Sequence, residues 1–199
     1  MQTRPLKIDG AWEFTPNTFA DDRGFFLEWF KAEVFAETVG HPLTIAQANH
    51  SSSATGVLRG VHFAKVPPSQ GKYVYCPKGS VLDVIVDIRV GSPTFGEWDS
   101  VLLDGRDRRA VYISEGLGHA FVSLEEGSNV TYLCSTGYTP GAEFGINPLD
   151  PELGLPWPSE LTPILSDKDA AAPSLSEAAE LGLLPTIKEC QQFYAELRG

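Results

Sequence analysis

Three side chains that could act together on an anionic substrate lie within one short stretch of the chain, residues 55–79. Arg59 and Lys72 are cations, and His62 is a base whose ordinary pKa lies near neutrality. A site that binds an anion and moves a proton needs groups of these kinds. Taken alone, the three residues are also compatible with ordinary surface chemistry, so their interpretation depends on the surrounding pattern.

A base that removes a proton works best with a group that orients it and a group that stabilises the charge it creates. Asp169 could fold back onto the ring of His62, fix its tautomer and raise its basicity. Lys72 could supply positive charge where an enolate oxygen forms. Tyr132 lies on a predicted strand, and a phenol facing the interior could return a proton from the side opposite the base. Such two-sided proton exchange inverts a carbon centre.

One conflict concerns the segment from Leu58 to Phe63. Side chains alternate between the two faces of a regular strand, which would put Arg59 and His62 on opposite faces. A bulge at Gly60 would bring both side chains to one pocket. If no bulge exists at Gly60, one of the two assignments is wrong.

Alternation of apolar and polar side chains predicts a chain made mostly of β-strands. The clearest strand runs from Val81 to Arg89, and a polar face is expected along residues 44–50. Further strands are predicted at residues 12–14, 98–103, 109–113, 119–124 and 129–135. Turns separate these strands at intervals of about ten residues, which is typical of a sandwich or barrel. The predicted fold class is all-β with minor helices.

The segments outside this β region are predicted to cover and close it. A helix is expected over residues 31–39, ended by Gly40. Closely spaced prolines rule out regular structure over about residues 138–165 and predict an extended strap over the barrel. Two C-terminal helices, about residues 174–197, are expected to pack against the rest of the chain rather than form a site.

Composition limits the classes of protein to which the chain can belong. Its 199 residues and 42% apolar content suit one domain spanning residues 1–199. The net charge of −11 argues against a general nucleic-acid or anionic-membrane binder, so a phosphate ligand needs a local basic pocket. No stretch is long and apolar enough for a membrane helix, and Cys76, Cys134 and Cys190 have no metal or disulfide spacing. We therefore expect a cytoplasmic protein.

Several ordered motifs resemble those of one known family. They are D-D-R-G-F-F-L-E (21–28), Q-A-N-H-S (47–51), G-V-L-R-G-V-H-F (56–63), Q-G-K (70–72), D-V-I-V-D-I-R-V-G-S-P-T-F-G-E-W (83–98), G-H-A-F (118–121), Y-L-C (132–134) and S-D-K-D (166–169). In these motifs the chain resembles the dTDP-4-dehydrorhamnose 3,5-epimerase family, which includes 3-epimerases of deoxysugar antibiotic pathways. The similarity covers about residues 12–169.

The resemblance implies a cupin-type β jelly roll with C-terminal helices, a homodimer, and epimerisation of dTDP-4-keto-6-deoxyglucose beside its ketone without metal or cofactor. By position, His62 matches the base, Asp169 its orienting carboxylate, Lys72 the enolate-stabilising lysine and Tyr132 the proton donor. The positions implied to hold the sugar nucleotide are Arg23, Phe26, Glu28, Gln47, Asn49, Arg59, His119, Tyr138, Glu143 and Lys168. Among them, Tyr138 matches the residue that stacks on thymine.

Two departures from the family pattern leave the regiochemistry open. The usual L-H-Y-Q reads V-H-F-A around His62, and the usual G-F-A-H-G-F reads G-L-G-H-A-F around His119. Both departures change the packing beside these histidines, and neither removes a proton-transfer group. Inversion at C3 alone and inversion at both C3 and C5 therefore remain alternatives. The sequence also leaves open whether a partner subunit completes the site.

Two other classes of function are alternatives to the epimerase. One is a binding module that holds the nucleotide without catalysis, and the intact set of proton-transfer residues argues against it. The other is a metal-dependent cupin oxidase, which would require a His-x-His motif. Phe63 and Ala64 follow His62, so that motif is missing.

Overall fold

The computed structural model describes all 199 residues and consists mainly of antiparallel β-strands. The strands are β1 (Gln2–Pro5), β2 (Ala11–Thr15), β3 (Thr18–Asp21), β4 (Gly24–Leu27), β5 (Gln47–Ser53), β6 (Leu58–Ala64), β7 (Lys72–Lys78), β8 (Ser80–Val86), β9 (Trp98–Asp104), β10 (Ala110–Ile113), β11 (Gly118–Ser123), β12 (Ser128–Cys134) and β13 (Glu143–Gly145). The helices are α1 (Ala32–Val39), α2 (Asp167–Ala170), α3 (Leu175–Glu180) and α4 (Ile187–Arg198).

The strands form two large sheets and one separate hairpin. One sheet has the order β1-β2-β10-β7-β12-β5, the other has the order β13-β6-β11-β8-β9, and β3 pairs only with β4. Strands β5 to β12 divide between the sheets as β5-β12-β7-β10 and β6-β11-β8-β9, which is the strand order of an eight-stranded jelly roll. The prediction of an all-β jelly roll with minor helices is confirmed.

Three apolar clusters hold the layers together. The first lies between the sheets and joins Val74 and Val111 of one sheet to Ile85 and Phe121 of the other. The second covers the outer face of the five-stranded sheet with residues of the strap and α3. The third covers the outer face of the six-stranded sheet, where Phe35 of α1 packs. The interior is therefore filled at one end, and polar strand faces are left to line the other.

Two sequence predictions about strands were wrong in detail. The proline-rich strap was expected to have no regular structure, but β13 pairs with β6 along Glu143–Gly145, a stretch that contains no proline and can therefore donate backbone hydrogen bonds. The strand predicted to reach Arg89 ends at Val86. Beyond it, the buried Asp87 carboxylate accepts hydrogen bonds from the backbone and side chain of Arg89, which turns the chain.

The helix boundaries follow their capping residues. Gly40 ends α1 in the left-handed region at φ 91°, as predicted. Ser174 and Thr186 begin α3 and α4 with reciprocal capping boxes. No helix combines the length and apolar character that crossing a membrane requires.

Candidate active site

An open cavity of about 480 Å³ lies between the two sheets at their polar end. Most of the residues that the sequence singled out line it. They are His62, Lys72, Tyr132, Gln47, Asn49, Tyr138, Glu143 and Lys168. The alternation of β5 accounts for part of this wall, because Gln47 and Asn49 point to the same side of the strand. The side chain of Gln47 also accepts a hydrogen bond from the backbone N–H of Tyr138.

The imidazole of His62 is held by Asp169. Its Nε2 lies 2.7 Å from Oδ1 of the carboxylate, so the predicted contact is present. Ser166 caps α2 and accepts the backbone N–H of Asp169, which fixes the position of the carboxylate. Burial opposes ionisation of this carboxyl, but hydrogen bonding and charge from His62 outweigh burial and hold the pKa of Asp169 below its usual value. The carboxylate is therefore ionised at neutral pH and can orient the ring.

The predicted bulge at Gly60 is also present. His62 pairs with His119 and Arg59 pairs with Phe121, so the two intervening residues of β6 stand opposite Ala120 alone. Gly60 has φ 129°, and a Cβ built on it would lie 2.4 Å from the Cβ of Ala120. Only glycine fits this position without displacing the neighbouring strand.

The bulge brings Arg59 and His62 to the same side of β6. Both residues line a second cavity of about 280 Å³ that also contacts Lys168 and Asp169. Arg59 is anchored there by a hydrogen bond from its Nε to the hydroxyl of Ser53. Arg59 and Lys168 thus lie beside the His62–Asp169 pair. These two cations form the kind of local basic pocket in which an acidic protein could hold a phosphate group.

Lys72 and Tyr132 approach the main cavity from the sheet opposite His62. Lys72 begins β7 and Tyr132 lies on the adjacent β12. Burial lowers the pKa of the Lys72 ammonium, and nearby groups including Glu143 oppose that effect. Burial raises the pKa of the Tyr132 phenol, which therefore keeps its proton at neutral pH. His62 and Tyr132 therefore face the main cavity from opposite sheets.

A second histidine–carboxylate pair involves a residue that the sequence analysis missed. Nε2 of His119 lies 2.7 Å from Oδ2 of Asp83, which is fully buried. His119 stands across from His62 on neighbouring strands and lines a small recess of about 20 Å³ with Lys72 and His62. The available signal was a single carboxylate inside the otherwise apolar run from Val81 to Val86.

Three further lining residues were not predicted. His50 lies in the Q-A-N-H-S motif and Gln70 in the Q-G-K motif, and these motifs were the signal that could have identified them. Phe144 follows Glu143 on β13, a strand that the sequence analysis did not predict. In no part of the chain do three His, Cys, Asp or Glu side chains form a group that could hold a metal ion.

Three predicted site residues do not reach the cavity of their own chain. Arg23, Phe26 and Glu28 lie on or beside the β3–β4 hairpin, which is separate from both large sheets. The side chain of Arg23 is 90% exposed and pairs only with Asp21. None of the three lines either cavity of the site or its recess.

The fold and the site together are those of a jelly-roll protein whose cavity is lined by His62 from one sheet and by Lys72 and Tyr132 from the other. Residues 5–177 match the family model described as dTDP-4-dehydrorhamnose 3,5-epimerase. A protein of that name from Mycolicibacterium smegmatis is 58% identical over 198 residues, which cover 100% of this chain and 98% of that protein. The chain belongs to the dTDP-4-dehydrorhamnose 3,5-epimerase family, as its motifs predicted, and is thereby an isomerase.

Solved structures of relatives agree with this assignment. The rmlC epimerase of Mycobacterium tuberculosis superposes with a TM-score of 0.97 at 52% identity, covering 100% of both chains. ChmJ from Streptomyces bikiniensis, a 3'-monoepimerase solved in complex with dTDP-quinovose, superposes with a TM-score of 0.95 at 47% identity, covering 98% of both chains. The two structures, one of them titled a 3'-monoepimerase, are thus almost equally similar to this chain.

Proposed function

We propose that this epimerase inverts C3, or C3 and C5, of dTDP-4-keto-6-deoxyglucose by enolisation next to the C4 ketone. The observation that carries the proposal is the placement of His62 and Tyr132 on opposite sheets around one cavity. A ketone acidifies the hydrogens on both neighbouring carbons. A base on one side and an acid on the other can therefore invert either carbon without a redox step or a cofactor.

His62 is the proposed base, with Asp169 as its orienting partner. Nε2 of the ring faces the carboxylate at 2.7 Å and donates its proton there, which leaves Nδ1 with a free lone pair. Nδ1 then removes the hydrogen from the substrate carbon. Asp169 stabilises the imidazolium that forms, because the carboxylate remains ionised.

Lys72 and Tyr132 complete the proposed reaction from the other sheet. As the proton leaves, negative charge develops on the C4 oxygen, and the Lys72 ammonium stabilises it. Tyr132 then donates its phenolic proton to the carbon from the face opposite His62. The raised pKa of the phenol suits this role, since the group is fully protonated before the reaction. Its phenolate is afterwards reprotonated, and His62 returns its proton to solvent.

The remaining predicted residues are proposed to bind the nucleotide and the sugar. Arg59 and Lys168 lie together at the second cavity and provide positive charge for the diphosphate. Tyr138 is 65% exposed at the edge of the main cavity, where its ring is free to stack on thymine. The other proposed contacts to the substrate are Gln47, Asn49, His119 and Glu143.

A homodimer would explain the position of the β3–β4 hairpin. Its aromatic side chains are strongly exposed, at 58% for Phe19, 52% for Phe25 and 66% for Phe26. Phe19 and Phe26 are cross-strand partners, and exposed apolar groups that adjoin in this way mark an interaction surface. We propose that the hairpin packs against a second copy of the chain and brings Arg23, Phe26 and Glu28 to the partner's cavity.

We also propose that residues 1–199 act as one domain in the cytoplasm. Leu153 of the strap, about residues 138–165, and Leu175 of the C-terminal helices, about residues 174–197, share an apolar cluster with Val84 of the jelly roll. Cys76, Cys134 and Cys190 are buried thiols without disulfides. Free thiols suit a reducing compartment.

Proton NMR of dTDP-4-keto-6-deoxyglucose in deuterium oxide tests the function and its regiochemistry together. The purified protein should replace hydrogen by deuterium at C3 if it inverts that carbon, and at both C3 and C5 if it inverts both. Affinity for dTDP without exchange at either carbon would instead identify a binding module and contradict the proposal.

A further inference from the structure

A buried carboxyl group lies behind the strand that carries Lys72. Glu115 is 1% exposed, stands in the turn between β10 and β11, and lines neither cavity of the proposed active site. Its Oε1 accepts a hydrogen bond from the Ser135 hydroxyl at 2.8 Å, and its Oε2 accepts one from the Tyr112 hydroxyl at 3.2 Å. A carboxyl removed from water costs free energy unless such bonds satisfy it.

The hydrogen bonds continue from Glu115 to the residue before Lys72. The Ser135 hydroxyl oxygen accepts the backbone N–H of Gly71 at 2.7 Å, and the backbone N–H of Ser135 donates to the Gly71 carbonyl at 2.9 Å. The next pair along the two strands is Lys72 and Cys134. Ser135 therefore fixes the β7 backbone at the point where the lysine enters the cavity.

Glu115 also leaves no room for a side chain at Gly71. A Cβ built on Gly71 would lie 2.7 Å from Oε1 of Glu115 and 3.1 Å from the Tyr112 hydroxyl. The same carboxyl group thus constrains Gly71 in two ways, by occupying the space beside its Cα and through Ser135. Any shift of Glu115 would be transmitted to the neighbouring residue, Lys72.

We propose that Glu115 is a positioning residue for Lys72, holding Gly71 in place through Ser135 and so setting where the ammonium stands in the cavity. This inference rests on the proposed role of Lys72 as the enolate-stabilising cation. Charge stabilisation in a reaction depends steeply on placement, and a shift of about 1 Å can cost a hundredfold in rate.

Replacement of Glu115 should separate turnover from nucleotide binding. Glu115→Ala removes both hydrogen bonds and is expected to lower kcat for deuterium exchange at C3 by about 10- to 100-fold. The affinity for dTDP, measured by calorimetry, should stay within about twofold, because the side chain of Gln47 holds the backbone N–H of Tyr138 and Lys168 lies on α2. Glu115→Gln keeps an oxygen that can accept the Ser135 hydroxyl and should retain kcat within about threefold.

A matched control comes from another buried carboxylate of the chain. The Thr94 hydroxyl donates to Oδ2 of Asp87 at 2.6 Å, and Thr94 lines no cavity of the active site. Thr94→Val removes the hydroxyl that donates to Asp87, just as Ser135→Ala removes the hydroxyl that donates to Glu115. Both variants should lose stability, but only Ser135→Ala should lose kcat while keeping its affinity for dTDP.

The outcomes distinguish this inference from the proposed function. Lys72→Met should abolish measurable exchange, and full exchange in that variant would overturn both the role of Lys72 and the inference built on it. If Lys72→Met is inactive but Glu115→Ala and Ser135→Ala turn over like the unaltered protein, only the positioning role is refuted. It is also refuted if Glu115→Gln is as impaired as Glu115→Ala.

Discussion

Nε2 of His62 and Oδ1 of Asp169 lie 2.7 Å apart although 107 residues separate them in the sequence. The strap carries the carboxylate back across the five-stranded sheet, and the Ser166 cap fixes it beside the ring. The tautomer and the orientation of His62 therefore depend on a segment that contributes almost no regular structure. Removing the charge of this one carboxylate should disable the base without disturbing the nucleotide pocket.

Asp169→Asn is expected to lower the rate of deuterium exchange at C3 by about a hundredfold or more, since an amide can neither stabilise the imidazolium nor enforce the tautomer. Affinity for dTDP should change little because Arg59 and Lys168 remain. The exchange rate is measured by NMR and the affinity by calorimetry. Exchange at the unaltered rate would show that the pair has only a structural role.

The pKa of Lys72 predicts how activity depends on alkaline pH. Burial lowers this pKa, so the cationic fraction, and with it kcat, should decline as pH rises through a value below 10.5. Burial raises the pKa of Tyr132, which moves the titration of the phenol further from neutrality. Lys72→Arg keeps a permanent cation and should remove the alkaline limb of the kcat profile, even if its rate is lower. An unchanged alkaline limb in that variant would assign the titration to another group.

Local pattern predicted the strands of the jelly roll well, because each of the strands β6 to β12 contributes side chains to an apolar cluster. It could not predict that Asp83 meets His119, since this contact depends on which strands become neighbours. It also missed β13, where the prolines of the strap concealed a short stretch able to pair with β6. Arg23 lies on the β3–β4 hairpin, outside the cavity of its own chain, and its role at the site is part of the proposed homodimer.

The most informative success concerned the bulge at Gly60, because it arose from a conflict. The chemistry required Arg59 and His62 on one side, whereas strict alternation separated them, and the only residue between them able to take an unusual backbone conformation was glycine. The roles of Lys72 and Tyr132, by contrast, came mainly from the family resemblance. From their side-chain types alone, Lys72 and Tyr132 could equally have been structural residues without a role in catalysis.

Tyr132→Phe should uncouple proton removal from inversion. The variant keeps the aromatic ring that packs against the central apolar cluster but lacks the phenolic proton. Because His62 is intact, some exchange of hydrogen at C3 should continue, whereas inverted product should fall below detection. Proton NMR follows the exchange, and the coupling constants of the sugar report its configuration. Turnover to inverted product at the unaltered rate would exclude Tyr132 as the acid.

Gly60→Ala tests whether the bulge is required. Gly60 and Gly24 share φ 129°, but a Cβ at Gly60 would lie 2.4 Å from Ala120, whereas a Cβ at Gly24 would have nothing within 4 Å. Both substitutions introduce backbone strain, and only Gly60→Ala adds a steric clash, which should cost about 1–3 kcal/mol more in the free energy of unfolding. Denaturant titration at equal protein concentrations measures the difference. Equal losses in the two variants would mean that β6 and β11 can separate without cost, and the fixed relation between Arg59 and His62 would then lose its structural basis.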